Sequence, residues 1–313
     1  MPPTSYLSKC ALCLEEKELL DSHIIPAFVF KWIKETSATG FLRMAKNPNL
    51  RQQDGPKSKL LCKKCESLLN DYETLFAKNI FHPYVKIELD KNGIATGKIK
   101  CFDHNDWLLR FIISLHWRFL VTKDYTTDIE LAKFKKVLGG IKEDWRQFLL
   151  KERNYTGECE SHIILFQSLA SANGYIPPNM NEKITCYLLR AIDGGPITSK
   201  GKNKLGVFSK IGPIAFLTTI KPDKLKNTND SRVRMRGKIK TAQHLYNPLL
   251  TSFFFIDRPN EVIPQMGFSE RQWGKIEKAY KSNPTRAEKS MTLKAVEADN
   301  ILKMKKELQE ELK

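Results

Sequence analysis

The chain has 313 residues, of which 41% are hydrophobic, 10% aromatic and 28% charged, proportions that exclude a fibre or a wholly disordered chain. Lys and Arg number 52 against 35 Asp and Glu, a net charge of +17, which fits a polyanionic partner, nucleic acid first, and equally a generally basic, solvated surface. No run approaches the roughly 18 apolar residues of a membrane span, and MPPTSYLSKC lacks the apolar stretch of a secretory signal, so the expectation is a cytoplasmic protein with no membrane association.

Taken in chain order, the first signal is Cys10-x-x-Cys13, answered by Cys62-x-x-Cys65 after 48 intervening residues. Two closely spaced thiol pairs are the ligand set of a tetrahedral structural Zn²⁺. Neither pair sits in the βαβ context of a redox CxxC. Cys101, Cys159 and Cys186 stand alone and read as ordinary thiols.

Between the pairs, the spacing predicts a short helix around Ile25–Ile33, entered through Pro26. GFLRM and KLLC read as two short strands joined by a turn-rich loop. From Cys62 a second helix carries Leu68, Leu69, Tyr72, Leu75 and Phe76 at helical spacing. YVKIEL and IATGKIKC, around Asp90–Gly93, predict a hairpin over residues 84–100. Residues 104–154 predict three helices, with His116 in the core. Strands are expected at HIILFQSLA, TCYLLRAI, GPIAFLTTI and PLLTSFFFI, and helices from Ser269 to the end. Cys159-x-x-His162 lacks a second ligand pair, and no Walker A spacing occurs.

Charge is concentrated in residues 196–245, which hold twelve Lys and Arg against two Asp. Within SRVRMRGKIK, an extended strand would place Arg232, Arg234 and Arg236 on one side, with Lys238 continuing the row. Such a row suits phosphates, although a positively charged edge strand looks the same. The predicted class is α+β: a small N-terminal zinc-bound ββα or treble-clef-like module (1–85), a larger basic mixed domain with helices and an antiparallel sheet (86–268), and a helical tail (269–313).

CALC, then Ser22-His23-Ile24-Ile25-Pro26, a two-stranded stretch, and LLCKKCE opening a helix together resemble the zinc-stapled form of the HNH endonucleases. The resemblance covers residues 8–85. It implies a metal-dependent phosphodiesterase in which His23 is the general base, the four cysteines hold a structural zinc, and catalytic Mg²⁺ or Mn²⁺ is bound by the residue before the histidine and by one on the following helix. Ser22 stands where that family has an acidic ligand, and Glu66 where it has His or Asn. No Asn precedes Cys62 near Lys57 or Ser58. Asn70, Glu73 and His82 are alternative ligands, and Glu66, Asn70 and Glu73 share one helix face. The implied catalytic set is His23, Glu66 and Asn70, and the implied substrate is nucleic acid, DNA ahead of RNA, with a role in bacterial or phage defence. A homo-oligomer or an activating partner protein stays open. The rival expectation is a catalytically inactive zinc-stapled module that binds nucleic acid or protein.

Overall fold

The computed structural model describes residues 7–86, 99–125, 129–170, 175–199, 203–222, 224–265 and 267–311. β1 (Leu7–Lys9) turns back antiparallel into β2 (Glu16–His23), and α1 (Ala27–Glu35) follows Pro26. β3 (Leu42–Met44) and β4 (Asn47–Gln52) form a hairpin of their own. β5 (Lys57–Cys62) then pairs antiparallel with β2, and α2 (Lys63–Phe76) packs on both strands. GFLRM and KLLC are therefore not partners: KLLC buries Leu60, Leu61 and Cys62 against the β2 side, whereas Leu42 is the buried residue of β3.

A wider helical turn, Ala77–Phe81, runs from α2 into α3 (His82–Val85). Tyr84 and Val85 thus end a helix where the sequence predicts a hairpin strand; the rest of that hairpin, residues 87–98, lies outside the described residues. After β6 (Cys101–His104) come α4 (Asp106–Val121), α5 (Ile129–Ala132) and α6 (Lys135–Leu149), the three helices that the spacing predicts. α4 is buried from Leu108 to Leu120, as an apolar stretch on all faces requires.

The larger sheet is antiparallel throughout, in the order β11-β7-β10-β9-β8. Its strands are β7 (Glu160–Leu165), β8 (Ile192–Ser199), β9 (Lys204–Ile211), β10 (Ile214–Lys221) and β11 (Arg232–Val233). α7 (Ile184–Arg190) precedes β8, and β12 (Gly237–Lys240) pairs back with β6. TCYLLRAI is thus mostly helix, since a short apolar run carries no period that separates the two states. α8 (Pro248–Ser252), a wider turn at Phe253–Asp257 and α9 (Arg258–Val262) replace the strand expected at PLLTSFFFI. The missed signal is a cap: Asn247 Oδ1 accepts from Leu250 N at 3.1 Å, with Pro248 in the first turn, a strong helix start. β8 went unread because Gly194, Gly195 and Pro196 are poor strand formers. A Cβ on Gly194 would lie 2.6 Å from the Phe119 ring, so its glycine is what lets α4 close on the sheet.

The chain ends in α10 (Glu270–Ser282), α11 (Pro284–Glu288) and α12 (Met291–Glu311). α12 lies on α7, where Asp299 accepts from the backbone N–H groups of Thr185 and Cys186 at 2.6 and 3.0 Å. One hydrophobic core runs from the cysteine-bearing segment into the large sheet. Phe76 of α2 stacks on Phe111 of α4, centroids 4.2 Å apart, and meets Phe216 of β10 edge-on. Two distant arginines hold the end of α1. Arg190 donates to Ile33 O and Thr36 Oγ1, and Arg286 to Lys34 O and Ser37 O, supplying donors to carbonyls that a helix end leaves unpaired. No helix among the described residues is long and apolar enough to cross a membrane.

Two histidines sit inside this core. His116 bonds Thr218 Oγ1 at 2.8 Å and Ser209 Oγ at 3.0 Å, and burial pushes it down to about 3. His162 bonds Ser231 Oγ and lies 3.7 Å from Glu160 Oε2; burial and then Arg232 push it down to about 4. Both are neutral in the folded state but titrate near 6.5 when unfolded, so the unfolded chain binds more protons below about pH 6.5. Their stabilisation is complete above that value and is lost as pH falls towards 4 and 3. Each contributes a slope of about 1.4 kcal/mol per pH unit in that window. Urea midpoints from pH 7 to 4.5 are expected to fall less steeply for His116→Asn than for wild type. Parallel lines would refute the assignment, and any acid loss common to both proteins cancels in the comparison.

Candidate active site and metal centre

Cys10 and Cys13 occupy the tight turn between β1 and β2, closed by Leu14 N to Cys10 O at 2.9 Å. Leu14 adopts φ 64°, a left-handed conformation that costs roughly 1–2 kcal/mol for a residue with a Cβ. Cys62 ends β5 and precedes α2, and Cys65 lies in the first turn of that helix. The four Sγ atoms lie within 4.8 Å of one another, Cys13 and Cys62 at 3.9 Å. Tetrahedral Zn–S bonds of about 2.3 Å place sulfurs a little under 4 Å apart, so the donor set fits a structural metal such as zinc.

The surroundings favour a thiolate at Cys10 and oppose one at Cys13 and Cys65. Burial opposes ionisation of Cys10, but N–H groups of Cys62, Cys13 and Leu12 outweigh it and bring the thiol to about 7. The Cys62 N–H reaches Cys10 Sγ at 3.3 Å. Burial and the neighbouring Cys10 drive Cys65 strongly upward, so four thiolates coexist here only around a cation. Arg146 of α6 donates to Leu12 O at 3.0 Å and fastens the turn to the helical domain.

The opposite end of β2 carries the histidine. His23 faces Lys57 across the β2–β5 ladder, beyond an irregularity between Leu20 and Asp21. Its Nε2 meets Asp54 Oδ1 at 2.9 Å. Asp54 also accepts from Gly55 N at 2.8 Å and Lys57 Nζ at 2.6 Å. Burial opposes its charge, but Lys57, His23 and the Gly55 amide together hold the carboxyl well below the usual carboxylate range. A Cβ on Gly55 would lie 2.0 Å from the Phe30 ring; a glycine there lets the loop press against α1 and present Asp54 to the histidine. The side chains of His23 and Asp54 are 21% and 44% exposed, open to a ligand from solvent.

The positions at which the resemblance places the catalytic metal do meet: Ser22 Oγ donates to Glu66 Oε2 at 2.7 Å. They supply one hydroxyl and one carboxylate. Among the described residues, the four cysteines are the one group of three or more His, Cys, Asp and Glu arranged to hold an ion, so the side chains around Ser22 do not by themselves make a divalent-metal site. Asp21 points elsewhere, to Lys59 at 3.5 Å. Asn70 is exposed on α2. Glu73 is bound to Arg118 at 2.6 Å, and the His82 ring packs near Phe28 and Phe81.

The basic row does not form one strand. Arg232 belongs to β11 in the large sheet, Lys238 belongs to β12 in the small one, and a bend separates them. The chain leaves one sheet for the other here, so period-two alternation ends at Val233. Arg232 is tied to Glu160 at 2.8 Å and Lys238 to Asp103 at 3.4 Å, while Arg234 and Arg236 are exposed. Cys159 Sγ donates to Thr156 O, and with His162 it joins no metal-ligating group among the described residues. Asp54 is the site residue that sequence reasoning missed; its one signal is the Asp-Gly pair at 54–55 shortly before β5.

No protein family, curated protein or solved structure matches the chain.

Proposed function

We propose that the chain is an HNH-like endonuclease that hydrolyses phosphodiester bonds of nucleic acid, DNA ahead of RNA, on a zinc-stapled ββα module. β2, β5 and α2 are the ββα unit, and a zinc ion on Cys10, Cys13, Cys62 and Cys65 staples it from one end. The observation that carries the reading is the His23–Asp54 pair at the open end. With Nε2–H donated to Asp54, the lone pair of His23 is on Nδ1, the form that takes a proton from water. Asp54 then stabilises the imidazolium, and Lys57 adds positive charge beside the phosphate. Mg²⁺ or Mn²⁺ would supply charge neutralisation at the phosphate, and Glu66 would offer it one carboxylate.

Supercoiled plasmid, single-stranded DNA and RNA are to be incubated with Mg²⁺, with Mn²⁺ or with no added divalent metal, a control that spares the structural zinc. Cleavage is expected to fall about a hundredfold or more in His23→Ala and less in Asp54→Asn, with affinity retained in both. A His23→Ala protein that cuts like wild type would remove the mechanism. Ser22, a hydroxyl where the HNH family has an acidic ligand, favours a second reading: a binding module without catalysis. Metal-independent binding with no cleavage under any condition would support it.

A further inference from the structure

Away from the histidine, the loops before β11 and after β12 enclose a surface cavity of about 450 Å³, lined by Asn227, Asn229, Asp230, His244 and Tyr246. That volume lies within the roughly 300–1,000 Å³ of small-molecule sites. The rings of His244 and Tyr246 stack with centroids 5.6 Å apart and planes 19° from parallel. Tyr246 is 69% exposed, so most of its ring, stacked on His244 on one side, faces solvent. The cavity walls are cross-tied. Asp230 accepts from His244 N and Lys240 Nζ, Gln243 Nε2 donates to Asp230 O, and Asn247 Nδ2 donates to Lys226 O. This bracing holds the shape before any ligand arrives, which lowers the cost of ordering on binding.

Asn227 and Asn229 are exposed, and no hydrogen bond ties their side-chain amides to another described residue. Each offers a donor and an acceptor together, the complement of a base edge. Asn227 adopts φ 57°, a conformation that asparagine tolerates better than most residues. Residues 221–240, which supply three of the lining residues, hold eight Lys and Arg against two Asp, so a phosphate attached to the ligand meets positive charge carried by this segment.

We propose that this cavity binds an unpaired nucleobase, stacked on Tyr246 and hydrogen-bonded at its edge by Asn227 and Asn229, with the phosphate held by the surrounding cations. A paired base within a duplex cannot enter, because its faces and its Watson–Crick edge are already covered. The inference rests on the nucleic-acid reading above and extends it to single-stranded or locally opened substrate. None of its lining residues belongs to the His23–Asp54 pair, so the site is assigned to holding the strand and not to the cleavage step.

The test is fluorescence anisotropy without added Mg²⁺ or Mn²⁺, so that the cysteine cluster keeps its metal and none is supplied for cleavage, with labelled 15-nucleotide single strands and a blunt-ended duplex. Tyr246→Ala is expected to weaken single-strand binding about tenfold, in line with the loss of one base–aromatic stack, and to leave duplex binding unchanged. Tyr246→Phe keeps the ring and is expected to bind as wild type; Asn229→Ala is expected to weaken single strands alone. Both positions are exposed, so the variants fold. Competition with nucleoside monophosphates separates the sources of the base: displacement assigns the cavity to free nucleotides, and its failure assigns it to a strand. Equal single-strand affinity of Tyr246→Ala and wild type would overturn the proposal, as would absence of binding to every probe. Because His23 acts only on cleavage and Tyr246 only on binding, either can fail while the other stands.

Discussion

Cys62→Ala is expected to abolish metal binding by the cysteine cluster and to unfold the segment that carries it. Loss of one thiolate leaves three sulfurs of a buried cluster without a closed tetrahedral shell. Structural zinc contributes about 10–16 kcal/mol of apparent binding free energy, against a total stability of about 5–15 kcal/mol for a typical domain. β1 itself adds little to the turn, being three exposed residues, and Leu14 adds backbone strain, so besides the metal the turn relies on buried Leu12 and the Arg146 bond to Leu12 O. Because Phe76 packs on Phe111 and Phe216, the loss spreads to α4 and the large sheet. Metal analysis is expected to find one zinc per wild-type chain and none in the variant, together with a large fall in melting temperature. Cys101→Ala, outside the cluster, is the control. A Cys62→Ala protein that melts as wild type would show that the cluster carries no structural metal.

Glu73→Ala is expected to destabilise the chain by about 3–5 kcal/mol, the usual result of removing one partner from a buried ion pair. Arg118 lies in the centre of α4 with its side chain 1% exposed, and its Nε already lacks a hydrogen-bond partner. Glu73 is the carboxylate that neutralises it, at 2.6 Å. Without that carboxylate the guanidinium is charged, buried and uncompensated. Glu73→Ala combined with Arg118→Met is expected to recover much of the loss, since no lone charge then remains. Urea denaturation of the four proteins in the cycle measures the coupling. Zinc content should be unchanged in Glu73→Ala; reduced zinc, or an unchanged urea midpoint, would contradict the structural role.

Glu73 also shows where sequence reasoning reaches its limit. Its place on one face of α2 with Glu66 and Asn70 was legible, because helical periodicity is local. That the face divides, with Glu66 meeting Ser22 and Glu73 meeting Arg118, depends on α4 arriving from 45 positions away. The cysteine pairs were readable because metal ligation fixes their spacing within each turn, and α4 was readable because it is apolar on every side. Asp54 was not, since its contact with His23 requires the α1 and β3–β4 insertion to fold first. The break between β11 and β12 was hidden for another reason: alternation says that a strand exists and nothing about which sheet receives it.

The arginine clasp on α1 bears on the order of assembly during synthesis. Arg286 lies 252 positions beyond the Lys34 carbonyl it binds, and Arg190 lies 157 beyond Ile33. At about 5–20 residues per second, the end of α1 waits roughly ten to fifty seconds for its second arginine. The cysteine cluster can close within the first 65 residues, but the helix beside the histidine gains its final partners only when the last helices are made. A truncated nascent chain would thus have its four cysteines gathered while the helix that supports the His23 end remains without its clasp.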